Sequence, residues 1–228
     1  MKSTLKVGHR GAKGYISENT LPSIQKALDL NVDGIEIDVH LCASGELVVF
    51  HDFTLDRMTN GTGEIGKQTL SQLQNLLVDG KYKIPTLTEV LDLIHAKCLL
   101  NIELKGEKTA LPTVKLLHQY FDKGTWTYNN VLISSFQRKE LEAVYNFDER
   151  MSLGVLTKAS VNASIRFAKT INAVAIHPNF ALLSKNNVKE AQDEGFKVNA
   201  WTVNDFESIE RIKSYGVDAI ISDFPDRI

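Results

Sequence analysis

The 228-residue chain carries 26 Lys and Arg against 28 Asp and Glu, a formal charge of −2, with 43% hydrophobic and 24% charged residues. These values belong to an ordinary folded protein and exclude a disordered tail, a coiled coil and a collagen-like rod. The near-neutral balance supplies no driving force for nonspecific nucleic-acid binding.

The first short apolar run covers residues 5–9 and ends in His9-Arg10-Gly11. A helix over 21–30 follows, with Leu21, Ile24, Ala27 and Leu28 on one face. Glu18-Asn19-Thr20 supplies its cap, and Pro22 lies in its first turn. A strand over 34–39 carries Glu36-Ile37-Asp38. The turn Ala43-Ser44-Gly45-Glu46 then leads to an extra strand over 47–51. If Ser44-Gly45 is a two-residue turn, residue 43 pairs with 46 and Asp38 lies opposite His51. Residues 52–84 form a Thr- and Gly-rich excursion with a short helix near 71–77. Asp56-Arg57 and Thr59-Asn60-Gly61-Thr62-Gly63 read as its structural turns. Thr86 and Glu89 form a capping box for a helix over 87–95.

The strand over 99–104 carries Glu103, with Lys105 just beyond it. A helix within 110–120, a strand over 131–134, a helix over 137–145, a strand over 152–156 and a helix over 161–168 continue the alternation. The strand over 173–177 ends in His177-Pro178. A helix over 185–194 stops at Gly195, a suitable C-terminal residue. The strand over 197–201 leads into Trp201-Thr202-Val203-Asn204. The helix over 205–214 takes Asn204 as cap and Glu207 as box, and the last strand, 219–222, leads into Asp223.

Eight apolar strands alternating with helices predict a (β/α)8 TIM-type barrel, typically ~250 residues long. Residues 1–228 read as a single barrel domain with an insertion at about 52–84 after the second barrel strand and a short or absent last helix. An open doubly wound sheet is the alternative, but no G-x-G-x-x-G opens a helix here.

Barrel enzymes work at the C-terminal ends of their strands. Glu36 and Asp38, two apart, face one side of their strand, and closure brings Glu103 into the same mouth. Three ionised carboxylates there repel one another, and a hard divalent cation, Mg²⁺ or Ca²⁺, resolves the repulsion. Cys42 and Cys98 lack the spacing of zinc ligands. Read alone, the E-x-D pair is also compatible with a solvated strand edge. His9 and His51 are the acid–base candidates because imidazole titrates near neutrality; each could instead be a structural histidine at a strand end. His40, His95 and His118 read as surface residues, and His177 as structural or pocket-wall. Arg10 and Lys105 suit a phosphate oxyanion, or balance the acids. Trp201 reads as pocket wall or core.

The pieces His9-Arg10-Gly11, Glu18-Asn19-Thr20, Asp33-Gly34-Ile35-Glu36-Ile37-Asp38-Val39, Val48-Val49-Phe50-His51-Asp52, Leu55-Asp56-Arg57, Thr59-Asn60-Gly61-Thr62-Gly63, Ile84-Pro85-Thr86-Leu87, Asn101-Ile102-Glu103-Leu104-Lys105, Ala200-Trp201-Thr202-Val203-Asn204 and Ser222-Asp223-Phe224-Pro225 span nearly the whole chain in order. Together they resemble the glycerophosphodiester phosphodiesterase family. The resemblance implies a TIM-type barrel with a small insertion, Mg²⁺ or Ca²⁺ on Glu36, Asp38 and Glu103, and His9 and His51 as general acid and base. It places Arg10 and Lys105 on the phosphate. The implied reaction hydrolyses a small-molecule glycerophosphodiester to glycerol 3-phosphate and an alcohol, by direct water attack or through a cyclic phosphate. Cys42, Ser44 and Asn31-Val32 depart from the family pattern, all in turns.

No apolar run approaches the ~20 residues of a membrane-crossing helix. The opening from Met1 to His9 is too short and polar for a signal peptide, and two cysteines make no disulfide framework. A cytoplasmic protein with reduced thiols and no integral membrane segment is expected; the oligomeric state stays open. A lysophospholipase D-like or phosphoinositide-specific barrel would act at membranes, and no basic or aromatic membrane face is legible. An inactive binding barrel would be expected to lack one of His9, His51, Glu36, Asp38 or Glu103; all five are present.

Overall fold

The computed structural model of the chain describes residues 3–228. Strand β1 (Leu5–His9) leads to helix α1 (Leu21–Asp29) and strand β2 (Gly34–Leu41). Strand β3 (Leu47–Val49) pairs antiparallel with the end of β2, and the short helix α2 (Leu70–Leu73) follows. Then α3 (Leu87–Ile94), β4 (Leu99–Leu104), α4 (Ala110–Asp122), β5 (Val131–Ser135) and α5 (Arg138–Phe147) alternate. The chain continues through β6 (Leu153–Thr157), α6 (Val161–Thr170), β7 (Ala175–Pro178), α7 (Lys185–Asp193), β8 (Lys197–Ala200), α8 (Phe206–Ser214) and β9 (Ala219–Ser222). A single 3₁₀ turn, Pro225–Arg227, follows β9 where a last helix would stand.

The parallel strands run β1-β9-β8-β7-β6-β5-β4-β2, and β1 pairs with β2 to close the ring; β3 lies outside it. This is the (β/α)8 barrel. The two-residue period of a strand sorts its side chains. On β2, Ile35, Ile37 and Val39 are fully buried against the helices, and Glu36 and Asp38 occupy the other face. On β4, Leu100, Ile102 and Leu104 face out, and Asn101 and Glu103 face in. The outer faces and helices form one continuous apolar core. Each fully buried Ile or Leu there contributes roughly 1.5–3 kcal/mol.

The excursion is folded around a second apolar cluster of Cys42, Val48, Phe50, Leu55, Ile65, Leu73, Val78 and Ile84. Its helix is one turn at Leu70–Leu73, shorter than the expected 71–77, and Thr69 and Gln72 box it. The expected caps hold at α1, where Thr20 accepts from Ser23 N, and at α3, where Thr86 and Glu89 box the first turn.

Three local expectations change. The hairpin between β2 and β3 has a three-residue loop, not two: Cys42 N donates to Glu46 O, and Leu41 pairs with Leu47. Gly45 at φ +98 takes the left-handed position that such a loop requires. The register therefore slips by one, and Phe50, not His51, lies opposite Asp38, its N–H donating to Asp38 O at 3.0 Å. Asp205, not Asn204, caps α8. His40 is buried rather than exposed, its Nε2 bonded to the carbonyl of His51. Among the described residues no helix is long and apolar enough to cross a membrane, and both cysteines are free.

Candidate active site

Ladder register assembles the site. His9 on β1 pairs with Glu36 on β2, and Asp38 pairs with Glu103 on β4. Each is an inward position near the C-terminal end of its strand. The chain then reverses through Arg10 and Gly11, both left-handed at φ 52 and φ 86. A Cβ on Gly11 would meet the backbone of Ser23 at 2.6 Å, so only glycine fits there. The reversal turns Arg10 back over the mouth, and its backbone N–H donates to Glu36 Oε2 at 3.0 Å.

Ligand oxygens of Glu36, Asp38 and Glu103 lie within 4.8 Å of one another, all in buried carboxylates. Asp38 is 1% exposed. Its Oδ2 accepts from Asn19 Nδ2 at 2.9 Å, with Arg10 Nε 3.3 Å away. Its Oδ1 has no hydrogen-bond partner, the nearest cation being Lys105 Nζ at 3.8 Å. Burial, and then the charges of Asp38 and Glu103, push Glu36 well above the usual carboxylate range. Burial and Asp38 push Glu103 up to about 7, although Lys105 Nζ sits 3.1 Å away. Asp38 stays low because Arg10, His51 and Lys105 together outweigh its burial. Two acids too crowded to ionise freely and an orphaned buried oxygen make a donor set that fits a hard divalent cation.

Both histidines are held at Nδ1 by a carboxylate. His9 Nδ1 donates to Asp223 Oδ1 at 2.5 Å, and Asn204 Nδ2 donates to Asp223 Oδ2 at 2.9 Å. Asn204 Oδ1, the atom a helix cap would use, is occupied by Asp223 N at 2.9 Å. His51 Nδ1 donates to Asp52 Oδ1 at 2.6 Å. A carboxylate on Nδ1 leaves Nε2 as the working nitrogen, and His9 Nε2 lies 3.9 Å from Glu36 Oε2. Burial lowers the affinity of both rings for protons, against the pull of Asp223 on His9 and of Asp38 on His51.

A cavity of about 280 Å³ opens over these groups, lined by His9, Arg10, Glu36, His51, Glu103, Lys105 and Trp201 together with Phe136 and Lys158. Asp38 lies beneath it. Trp201 Nε1 already donates to His177 O at 2.7 Å, and its ring meets Phe136 edge-on at 5.4 Å. It therefore presents apolar surface to the cavity. All eight residues singled out from the sequence surround this one mouth. His177 does not reach it; it is 1% exposed, deeper in the barrel.

Sequence reasoning assigned Asp223, Asp52, Phe136 and Lys158 no role in the site, and it placed Asn19 in a helix cap and Arg57 in a turn. A carboxylate next to a candidate histidine was the available signal for Asp52. For Asp223 it was the position just past the last strand, which closure sets beside the first.

A family model described as "Glycerophosphoryl diester phosphodiesterase family" matches residues 9–227. The chain belongs to this family. Its enzyme class is the phosphodiester hydrolases of glycerophosphodiesters. The chain is 34% identical over 236 residues to a glycerophosphodiester phosphodiesterase of Caldanaerobacter subterraneus subsp. tengcongensis, covering 99% of this chain and 96% of that one. It is 33% identical to a glycerophosphodiester phosphodiesterase of Bacillus altitudinis, covering 96% and 94%. An Oleispira antarctica phosphodiesterase, solved with the product sn-glycerol-3-phosphate, superposes with a TM-score of 0.90 at 30% identity, covering 97% of this chain and 94% of that one.

Proposed function

We propose that this family member acts, as one barrel domain over residues 1–228 in the cytoplasm, by hydrolysing glycerophosphodiesters to glycerol 3-phosphate and an alcohol. Glu36, Asp38 and Glu103 hold the divalent cation, Mg²⁺ or Ca²⁺, and His9 and His51 are the acid–base pair. The observation that carries the reading is the packing of three buried carboxylates within 4.8 Å of one another beside two histidines, each anchored at Nδ1. The product complex of the Oleispira antarctica enzyme supports glycerol 3-phosphate as the product.

When bound, the cation supplies Lewis-acid polarisation of the phosphoryl group. The chain supplies the rest. Arg10 and Lys105 hold phosphate oxygens by charge-assisted hydrogen bonds and stabilise charge as it develops there. One histidine accepts the proton of the attacking water or glycerol hydroxyl at Nε2, and the other donates a proton to the leaving alkoxide. Asp223 and Asp52 keep both rings oriented and stabilise each imidazolium as it forms. Trp201 walls the cavity.

The test is glycerol 3-phosphate release from glycerophosphocholine, glycerophosphoethanolamine and glycerophosphoglycerol, with EDTA, Mg²⁺ or Ca²⁺, beside His9→Ala and His51→Ala. Release that needs the cation and falls by roughly 10²–10⁴-fold in each variant is expected. Release undiminished by EDTA, or retained in both variants, refutes the reading. Absence of release from these diesters, with hydrolysis of lysophospholipid micelles instead, favours the lipid phosphodiesterase; no activity on either favours a binding barrel.

A further inference from the structure

The excursion after β3 carries a guanidinium into the site's second layer. Arg57 lies between Leu55 and Met58, which pack in the excursion's own apolar cluster. Its side chain is 48% exposed, yet it spans two acids. Arg57 Nε pairs with Asp52 Oδ2 at 2.5 Å, and Nη2 with Glu18 Oε1 at 2.6 Å. Asp52 in turn holds His51 Nδ1 at 2.6 Å. Glu18 in turn holds Arg10 Nη1 at 2.7 Å. Five ionisable groups thus form a continuous chain, His51–Asp52–Arg57–Glu18–Arg10, whose two ends line the cavity.

We infer that Arg57 is a positioning residue that sets His51 and Arg10 together. The inference rests on the reading of those two residues above. Without Arg57, Asp52 keeps no second cation and turns toward water, so His51 loses its fixed ring orientation. Glu18 has a buried side chain and draws on Arg10, Lys13 and Arg57 together. Arg10 stands between Glu18 and Asp38, with Nε 3.3 Å from Asp38 Oδ2. Reorganising Glu18 shifts Arg10 toward the metal-site carboxylates and away from substrate phosphate. Only a planar fork with donors on both edges meets the two acids at once; a lysine ammonium reaches one.

An ordinary exposed ion pair would stabilise the fold slightly and leave turnover alone. The experiment separates these cases. Arg57→Ala and Arg57→Lys are compared with the parent for kcat and KM on glycerophosphoglycerol with Mg²⁺, for melting midpoint, and for the His51 ring signals by ¹⁵N–¹H NMR. The expected result for Arg57→Ala is a kcat lower by roughly 10- to 100-fold, the size of effect that a misplaced catalytic group produces. KM rises as well, the melting midpoint falls by only a few degrees and the His51 ring signals move. Arg57→Lys recovers part of kcat. Values of kcat and KM within about twofold of the parent, or unmoved His51 signals, overturn the inference. If Arg57→Ala fails to fold, Arg57→Lys decides by the same criteria. If the parent releases no glycerol 3-phosphate from any of the three diesters with Mg²⁺ or Ca²⁺, the functional reading fails and the His51 signals alone decide this one.

Discussion

His177 sits on β7 with 1% exposure, and its Nε2 accepts from Asn199 Nδ2 at 3.0 Å. Burial pushes its pKa down to about 3. The unfolded chain protonates this ring below about 6.5, whereas the folded one keeps it neutral. Its contribution to stability is therefore complete above pH 6.5 and is lost as pH falls from there toward 3. The slope is up to about 1.4 kcal/mol per pH unit. Urea unfolding of parent and His177→Gln at pH 7.5, 6.0 and 5.0 checks this. The parent's advantage should shrink on acidification; a constant difference would remove His177 from the acid response. Buried His40 and half-buried His9 and His51 are held low too, so only the comparison with the variant isolates this ring.

Elements in this barrel depend on one another at their ends. Helix α4 begins without a local cap: Thr109 has helical dihedrals and its hydroxyl makes no cap hydrogen bond. Glu140 of α5 does that work, accepting from Lys108 N at 2.7 Å and from Ala110 N at 2.8 Å. A carboxylate there satisfies free amides and meets the positive end of the helix dipole. Glu140→Ala should lower stability by about 1–2 kcal/mol, with Glu140→Gln in between, as read by urea unfolding at neutral pH. Equal stability of all three would place the capping elsewhere. The same dependence explains the two corrected details near the site. The β2–β3 register follows from a three-residue loop with Gly45 in the left-handed region, whereas composition around Ser44-Gly45 fits a two-residue turn equally well. Asn204 has a good capping side chain, but closure offers it Asp223, and Asp205 then caps α8 in its place.

At the scale of the molecule, the pairing of parallel strands in register is what collects charge. Glu36 and Asp38 from β2 and Glu103 from β4 meet with oxygens within 4.8 Å, a crowding that a bound divalent cation would relieve. Mg²⁺ or Ca²⁺ should raise the melting midpoint, by about 2.7 kcal/mol in stability at a hundredfold excess over Kd. Asp38→Asn should abolish the rise. A midpoint indifferent to both cations would argue against a metal site.

What the sequence by itself determined is everything carried by short periods. Alternating residue types sorted β2 and β4 into an apolar outer face and an acidic inner one, and the strand–helix order implied a barrel with its chemistry at the strand ends. The eight candidate site residues followed from that order and from motifs in line with the family. Tertiary structure alone decided the partners. Asp223 reaches His9 across 214 residues only because the last strand closes on the first. Arg57 reaches Glu18 and Asp52 only because the excursion folds on its own apolar cluster. Periodicity is a local property of the chain, while a buried charge takes whichever partner the closed fold brings within hydrogen-bond distance.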